Sequence, residues 1–413
     1  MKKKNLRSKE WFDNPNDPGL TALYLERYLN YGLKKEDLQS GKPIIGIAQS
    51  GSDLSPCNRH FQVLSKTIKD GIREAGGVPM EFPTHPIQET GKRPTAALDR
   101  NLSYLSLVEV LYGYPIDGVI LTTGCDKTTP AALMAAATVN IPSIVLSGGP
   151  MLDGSYKGKK AGSGTIIWEA RKLHAKGEIN YDEFMDMAAA SAPSIGHCNT
   201  MGTASSMNSI AEALGMSLTG GAIIPAPYKE RETISFETGK RIVEMVHEDL
   251  TPSKIMTKEA FENAIYVASA IGASSNCPPH LTAIARHMGI DLSIDSWEKL
   301  GHDIPLLVNC QPAGEYLMEG FFKAGGIPAI MQELMKNNKL HKNVMTVTGK
   351  TVEENLKIKI NIDESVIKSF KNPLVENAGF IVMKSNFFSS AVMKTSVISD
   401  EFRKRYLSNQ KNP

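Results

Sequence analysis

A strand, a turn and a helix follow one another within residues 118–137, and this segment limits the possible folds most. Residues 118–121 form a short apolar run bounded by turn residues, which predicts a buried strand. Residues 122–124 interrupt the pattern, and the alanine-rich run at residues 131–137 favours a helix. Open α/β sheets place their ligands at such turns, outside the carboxyl ends of parallel strands.

The same alternation of strand, loop and helix recurs along residues 42–356. It predicts an α/β fold, in which an N-terminal layered α/β/α domain has a mostly parallel sheet. Residues 1–41 are predicted to form an N-terminal arm with a helix near residues 20–33. Residues 357–413 are interpreted as the truncated beginning of a β-rich, barrel-like C-terminal domain. Strands are predicted at residues 43–48, 78–82, 118–121, 143–146, 305–309, 357–362 and 379–383, and residues 158–164 are predicted to be a loop.

Composition excludes several classes of protein. The net charge of the 413 residues is +2, so no basic surface for nucleic acid is expected. No apolar run reaches the length of a membrane span, and no secretory signal follows the basic N-terminus, which predicts a cytoplasmic protein without membrane contact. The five cysteines are odd in number and widely spread, which argues against disulfides and leaves metal binding or catalysis.

Cys57, Cys125 and Cys198 share one sequence context. Each lies in a loop rich in Gly, Ser, Thr or Pro, and a helix begins within a few residues. A helix N-terminus lowers the pKa of a nearby thiol, and three such loops at one sheet edge could converge on zinc or an iron–sulfur cluster. The alternative for each is a small buried hydrophobic side chain. Cys277 and Cys310 are interpreted as structural, with a fourth ligand as the alternative for either.

Three charged residues accompany these cysteines. Asp126 and Lys127 follow Cys125 directly, and Glu89 lies in a polar loop. Carboxylate oxygens are the ligands that Mg²⁺ takes in proteins. The spacing alone favours a solvated loop carboxylate for Glu89. Lys127 would normally repel a metal, and a structural salt bridge to Asp126 or a neighbour is the alternative.

Several segments resemble motifs of the IlvD/Edd dehydratases. They are Ser-Gly-Ser-Asp-Leu-Ser-Pro-Cys-Asn-Arg-His at residues 50–60, Thr-Thr-Gly-Cys-Asp-Lys-Thr-Thr-Pro at residues 122–130 and Gly-His-Cys-Asn-Thr-Met-Gly-Thr-Ala at residues 196–204. Within the family, Pro-Ile-Gln-Glu-Thr-Gly-Lys-Arg-Pro-Thr at residues 86–95 is most similar to the pentonate branch, the L-arabinonate and D-xylonate dehydratases. The resemblance extends to about residue 385.

This resemblance implies a hydro-lyase that converts an aldonate into a 2-keto-3-deoxyaldonate and water. It also implies a [2Fe–2S] cluster with one open iron position, and a Mg²⁺ ion beside it with a carbamylated lysine among its ligands. The implied ligands are Cys57, Cys125 and Cys198 for the cluster, and Glu89, Asp126 and Lys127 for Mg²⁺.

The sequence departs from the family pattern in one respect. In the family, the C-terminal domain supplies a further Mg²⁺ carboxylate and a general-base serine within a Ser-Asp-Ala-Arg-Met-Ser-Gly-type motif, and the 413 residues contain no such motif. The expectation is therefore a dehydratase that is incomplete or inactive alone, a homo-oligomer by family, with a second chain as one source of the missing domain. The alternatives are a dihydroxy-acid dehydratase of branched-chain amino-acid synthesis, and a non-catalytic remnant or partner subunit.

Overall fold

A parallel sheet of four strands lies at the centre of the molecule. The computed structural model describes residues 6–30, 32–88, 96–399, 401–402 and 404–405. The strands are β1 (Ile44–Gln49), β2 (Val78–Pro83), β3 (Gly118–Thr123) and β4 (Ser143–Ser147), in the order β2-β1-β3-β4. All three pairings are parallel, which confirms the predicted sheet and brings the carboxyl ends of the strands to one edge.

Helices cover both faces of this sheet and continue beyond it. The helices up to the third cysteine loop are α1 (Lys9–Phe12), α2 (Pro18–Leu29), α3 (Lys35–Gln39), α4 (Phe61–Glu74), α5 (Ala96–Gly113), α6 (Thr128–Val139), α7 (Thr165–Ala175) and α8 (Tyr181–Ala190). The later helices are α9 (Thr203–Ala213), α10 (Lys229–Glu248), α11 (Pro252–Ile255), α12 (Lys258–Ala270), α13 (Cys277–His287), α14 (Asp295–Gly301), α15 (Met318–Lys323), α16 (Gly326–Lys336) and α17 (Val352–Asn355). None of the helices in the described ranges combines the length and the apolar character that crossing a bilayer demands.

The two helical layers follow from the pleat of β3, in which successive residues face opposite sides. A Cβ atom at Gly118 would meet Ile242 and Val246 of α10, whereas Leu121 lies with residues of α5 and α6. Helices α4 and α10 therefore cover one face, and α5 and α6 cover the other. The layered α/β/α arrangement is as predicted.

Two glycines allow α4 and α10 to approach closely. A Cβ atom added at Gly71 would collide with the carbonyl oxygen of Phe236, and one at Gly239 would collide with the carbonyl oxygen of Ile68. The obstacles are backbone atoms, which cannot move aside as a flexible side chain can. The contact between these helices therefore requires glycine at both positions.

We expect Gly71→Ala to lower the free energy of unfolding by about 2–3 kcal/mol, because one methyl group forces the two helices apart. Gly113→Ala, at the end of α5, is the control, since no atom lies within 4 Å of its added Cβ. It should change stability by less than about 0.5 kcal/mol. Urea denaturation of both variants measures the difference, and equal stabilities would contradict the close-approach argument.

The N-terminal helices pack onto the main core. Phe12 and Leu38 are buried in the same hydrophobic cluster as the sheet, and the Ser8 backbone N–H donates to Asp117 at 3.1 Å, just before β3. The division into an arm, a main domain and a C-terminal part remains a prediction.

Three local predictions were wrong. Residues 305–309 form only isolated bridges, at Leu306 and Val308, because the segment opposite is not continuously extended. Residues 357–362 are not a strand, and Gln332 in α16 donates to the Leu356 and Ile358 carbonyls, at 2.8 Å each, in place of a neighbouring strand. The predicted loop at residues 158–164 contains one strand of a small antiparallel hairpin, β5 (Gly154–Tyr156) and β6 (Lys159–Ala161).

The predicted strand at residues 379–383 is present. It is β7 (Phe380–Met383), which pairs antiparallel with β8 (Ala391–Lys394). Phe380 is buried against Trp297 of α14 in an edge-to-face contact, so this hairpin is anchored on the main core.

Candidate active site

Two of the predicted cysteines lie in loops that leave neighbouring strands. Cys57 follows β1 and Cys125 follows β3, and these strands are hydrogen-bonded side by side. Asn58 links the two loops, because its Oδ1 accepts the backbone N–H of Cys125 at 2.9 Å. The pairing of β1 with β3 and the hydrogen bond between Cys125 and Asn58 therefore bring the two cysteine loops together.

The third cysteine reaches the same edge by a different route. Cys198 does not follow a strand of the sheet. The preceding residue, His197, forms a parallel bridge with Pro150, just past the carboxyl end of β4. Its N–H donates to the Gly149 carbonyl at 3.0 Å, and its carbonyl accepts from Met151 at 2.9 Å.

A buried asparagine connects the helix after Cys198 to the Cys125 loop. Asn208 of α9 donates to the Gly124 carbonyl at 3.2 Å and accepts from the hydroxyls of Thr123 and Thr129 at 3.0 and 3.1 Å. The sequence analysis did not identify this residue. A polar amide among the small and apolar residues of the segment Ala-Ser-Ser-Met-Asn-Ser was the available signal.

The three cysteines border one cavity of about 470 Å³. Cys125 is buried, and Cys57 and Cys198 are partly buried. Asp126 and Gln88 also line the cavity. The other polar residues that line it are Lys394 and five that carry hydroxyl groups, Ser163, Thr200, Thr203, Ser274 and Ser275. Such a wall suits a small ligand that carries several hydroxyls.

The thiols lie close enough to influence one another. A hydrogen bond with Cys125, burial, and the nearby charges of Cys125, Cys198 and Asp126 together raise the pKa of Cys57 well above its usual range. The Cys125 thiol donates to Asp126 at 3.4 Å. Anionic ligands that are crowded in this way favour a cation between them.

The three thiols are ligands of the kind that an iron–sulfur cluster takes. Within the described ranges, no three His, Cys, Asp or Glu side chains are grouped to hold one metal ion. A [2Fe–2S] cluster takes its thiolates on two irons, so it needs thiols around a shared cavity rather than three donors on one ion. Thiolates are soft ligands, and iron–sulfur clusters prefer soft ligands.

Asp126 and Lys127 form a buried pair beside the cysteines. Lys127 Nζ lies 3.1 Å from Asp126 Oδ2, and the two residues are only 5% and 3% exposed. The salt bridge considered from the sequence is therefore present. Lys127 also occupies the N-cap position of α6, where the helix dipole disfavours a cation and favours an anion. Glu89, the third predicted magnesium ligand, lies outside the described residues.

Two buried histidines contact the turn that follows β4. His60 Nε2 lies 2.8 Å from the Gly148 carbonyl, and His197 bridges Pro150 as described above. Burial lowers the pKa of His60 to about 4 and that of His197 to about 3. Both imidazoles are therefore neutral at pH 7. The His60 ring bonds to the Gly148 carbonyl, and His197 Nδ1 lies 3.0 Å from the carbonyl oxygen of Cys198.

Acid should destabilise the fold through His60. The unfolded histidine takes up a proton near pH 6.5, but the folded one resists until about pH 4, so stability is lost as the pH falls through this window. We expect a loss of up to about 3 kcal/mol from this group. His60→Gln should show a smaller difference in urea denaturation between pH 7 and pH 4.5. The exposed His174→Gln is the control, and an unchanged difference in His60→Gln would contradict the assignment.

Comparison with known proteins shows the family of this chain. Residues 42–355 match the family model described as dihydroxy-acid/6-phosphogluconate dehydratase, N-terminal. The chain belongs to this dehydratase family. The matched segment contains the sheet and the three cysteine loops, so the enzyme class and the α/β fold that the sequence predicted are confirmed.

Sequence similarity to individual relatives covers nearly the whole chain. D-xylonate dehydratase of Caulobacter vibrioides is 60% identical over 405 residues, which are 98% of this chain and 68% of that protein. L-arabinonate dehydratase of Rhizobium leguminosarum bv. trifolii is 45% identical, covering 97% of this chain and 69% of its own length. Dihydroxy-acid dehydratase of Halothermothrix orenii is 37% identical, over 91% of this chain and 69% of that protein.

Proposed function

We propose that this family member removes water from a sugar acid, with a pentonate such as D-xylonate or L-arabinonate as substrate and a 2-keto-3-deoxy acid as product. The observation that carries the proposal is the meeting of Cys57, Cys125 and Cys198 around one cavity beside Asp126 and Lys127. The 60% and 45% identities to dehydratases of D-xylonate and L-arabinonate support the substrate class.

The proposed cofactors are a [2Fe–2S] cluster on the three cysteines and Mg²⁺ on Glu89, Asp126 and Lys127. When bound, they would supply a Lewis-acidic iron with an open coordination position and a cation that acidifies the C2 proton. A carbamate on Lys127 would replace a cation with an anion at the N-terminus of α6, which the helix dipole favours. The buried Asp126 would then be one of two oxygen donors at this position.

The residues of the chain itself would bind and orient the substrate. The hydroxyls of Ser163, Thr200, Thr203 and Ser274 belong to residues that line the cavity, and each is held by a hydrogen bond within the protein. Each hydroxyl oxygen keeps a lone pair that can accept from a polyhydroxylated chain. The 60% and 45% identities to dehydratases of D-xylonate and L-arabinonate, against 37% to a dihydroxy-acid dehydratase, favour a pentonate over 2,3-dihydroxyisovalerate. The branched-chain dihydroxy-acid dehydratase therefore stands as the second candidate.

Removal of the C2 proton requires a base, which the resemblance to the family implies to be a serine. The 413 residues contain no counterpart of the family's serine motif, and the alignments span 68–69% of the relatives' lengths. We therefore expect turnover to depend on a segment that carries this serine, supplied by a second chain or a further domain, within a homo-oligomer. A non-catalytic partner subunit is the alternative if no such segment restores activity.

The decisive experiment fuses this chain to the part of the Caulobacter vibrioides D-xylonate dehydratase that the alignment does not cover. The fusion is prepared anaerobically with iron and Mg²⁺. We expect the fusion to form a 2-keto-3-deoxy acid from D-xylonate or L-arabinonate, and the chain alone to show little turnover. Cys57→Ser in the fusion should abolish the reaction. Turnover confined to 2,3-dihydroxyisovalerate would overturn the pentonate assignment, and no turnover of any substrate would favour the non-catalytic alternative.

A further inference from the structure

A lysine from the C-terminal hairpin enters the cysteine cavity. Lys394 is the last residue of β8, it is partly buried, and it lines the cavity together with Cys57, Cys125 and Cys198. The sequence analysis did not single it out, because it lies almost 200 residues beyond the third cysteine. Among the described residues that line this cavity, Lys394 is the one cationic side chain.

The position of the ammonium group is fixed by the backbone. Lys394 Nζ donates to the Gly272 carbonyl at 2.6 Å, just after α12. An ammonium group has three N–H donors, so this bond leaves donors that can face the cavity. Burial lowers the pKa of Lys394 to about 8, and the group therefore remains mostly charged at pH 7.

Apart from Lys394, the titratable groups that line the cavity are all potential anions. The other titratable groups of its wall are the thiols of the three cysteines and the carboxylate of Asp126, all of which become anionic when they bind a metal. Lys127 is already paired with Asp126. Cys277 lies near Lys394, but burial raises the pKa of this thiol to about 12, so it offers no counter-charge at neutral pH.

We propose that Lys394 is a substrate-binding residue whose ammonium group contacts the carboxylate of the sugar acid in the cysteine cavity. This inference rests on the proposed function and adds a residue to it. An ionised carboxylate has two oxygens with about four lone-pair directions, so one carboxylate can bind both a metal ion and an ammonium group. Lys394 would then make the site selective for acids over neutral polyols.

The test compares an anionic and a neutral ligand of the same length. Calorimetry would measure binding of D-xylonate and of xylitol to the anaerobically prepared chain and to Lys394→Met. We expect the substitution to weaken D-xylonate binding about 10- to 100-fold, as is typical for loss of a charged hydrogen bond, and to leave xylitol binding unchanged. Lys394→Arg should retain most of the affinity for D-xylonate.

Lys384→Met is the matched control. Lys384 belongs to the same hairpin, but it pairs with Asp295 at 2.9 Å on the exposed surface and does not line the cavity. It should bind both ligands as the unaltered chain does. Thermal unfolding of each variant verifies that the hairpin is intact.

Three outcomes would overturn the proposal: D-xylonate affinity unchanged in Lys394→Met, equal losses for D-xylonate and xylitol, or no preference of the unaltered chain for the anion. Equal losses would show that the bond to Gly272 is only structural. A third ligand separates this inference from the proposed function. If 2,3-dihydroxyisovalerate binds through Lys394 and pentonates do not, the pentonate assignment fails and the role of Lys394 stands.

Discussion

Arg231→Met is expected to lower the free energy of unfolding by about 3–5 kcal/mol, the largest stability effect of any single substitution considered. Arg231 is 0% exposed. Its Nη1 donates to the carbonyls of Ser147 and Gly221 at 2.6 and 3.0 Å, and its Nη2 donates to that of Ile224. Methionine fills a similar volume but leaves all three buried carbonyls without this donor.

The loss should be large because a second buried charge depends on Arg231. Burial raises the pKa of Glu212 to about 7, against the effects of backbone N–H donors and of the Arg231 charge. Burial in turn lowers the pKa of Arg231 to about 9, which the Glu212 charge opposes. Removing the guanidinium takes away a charge that opposes the effect of burial, so we expect the pKa of Glu212 to rise further and its carboxyl group to take up a proton at pH 7.

Urea denaturation at pH 7 measures this effect. The control is Arg171→Met, because Arg171 is exposed on α7 and stacks over Trp168 at 4.8 Å, and it should change stability by less than about 0.5 kcal/mol. Arg231→Lys keeps the charge but has fewer N–H donors. We expect its free energy of unfolding to lie between those of Arg231→Met and Arg171→Met. Equal stabilities of Arg231→Met and Arg171→Met would contradict the account.

Cys125→Ser is expected to abolish the visible absorption of the anaerobically reconstituted chain. A serine hydroxyl is a much poorer ligand for cluster iron than a thiolate. Cys125 is tied into the site at two points, because its backbone N–H donates to Asn58 Oδ1 and its thiol donates to Asp126. Its thiol also raises the pKa of Cys57. Its loss should therefore remove the cluster rather than weaken it.

Cys310→Ser is the matched control for this experiment. Cys310 is equally buried, but its thiol faces the Leu317 carbonyl at 3.7 Å and does not line the cavity. Its visible spectrum should match that of the unaltered chain. A Cys125→Ser protein with full absorption, or equal losses in both variants, would show that the colour does not depend on the proposed site.

The sheet and the three loops could be predicted from the sequence because their signals are local. The strand at residues 118–121 and the helix after it are each contained within a few residues, and so are the loops around Cys57, Cys125 and Cys198. Family motifs in the same loops then indicated their chemistry. The parallel order of the strands explains why two of the loops meet.

What could not be predicted depends on contacts between distant residues. The bridge between Pro150 and His197, the amide of Asn208 against Gly124, and the entry of Lys394 into the cavity each join segments that are far apart in the chain. The false strand at residues 357–362 has the same cause. Its residues do alternate between polar and apolar, but Gln332 of α16 donates to the carbonyls of Leu356 and Ile358, and no neighbouring strand pairs with the segment among the described residues.

The most direct test of the central claim is the iron and acid-labile sulfide content of the chain after anaerobic reconstitution. We expect two irons and two sulfides per chain, bound through Cys57, Cys125 and Cys198. A folded, colourless protein that retains neither iron nor sulfide would contradict it.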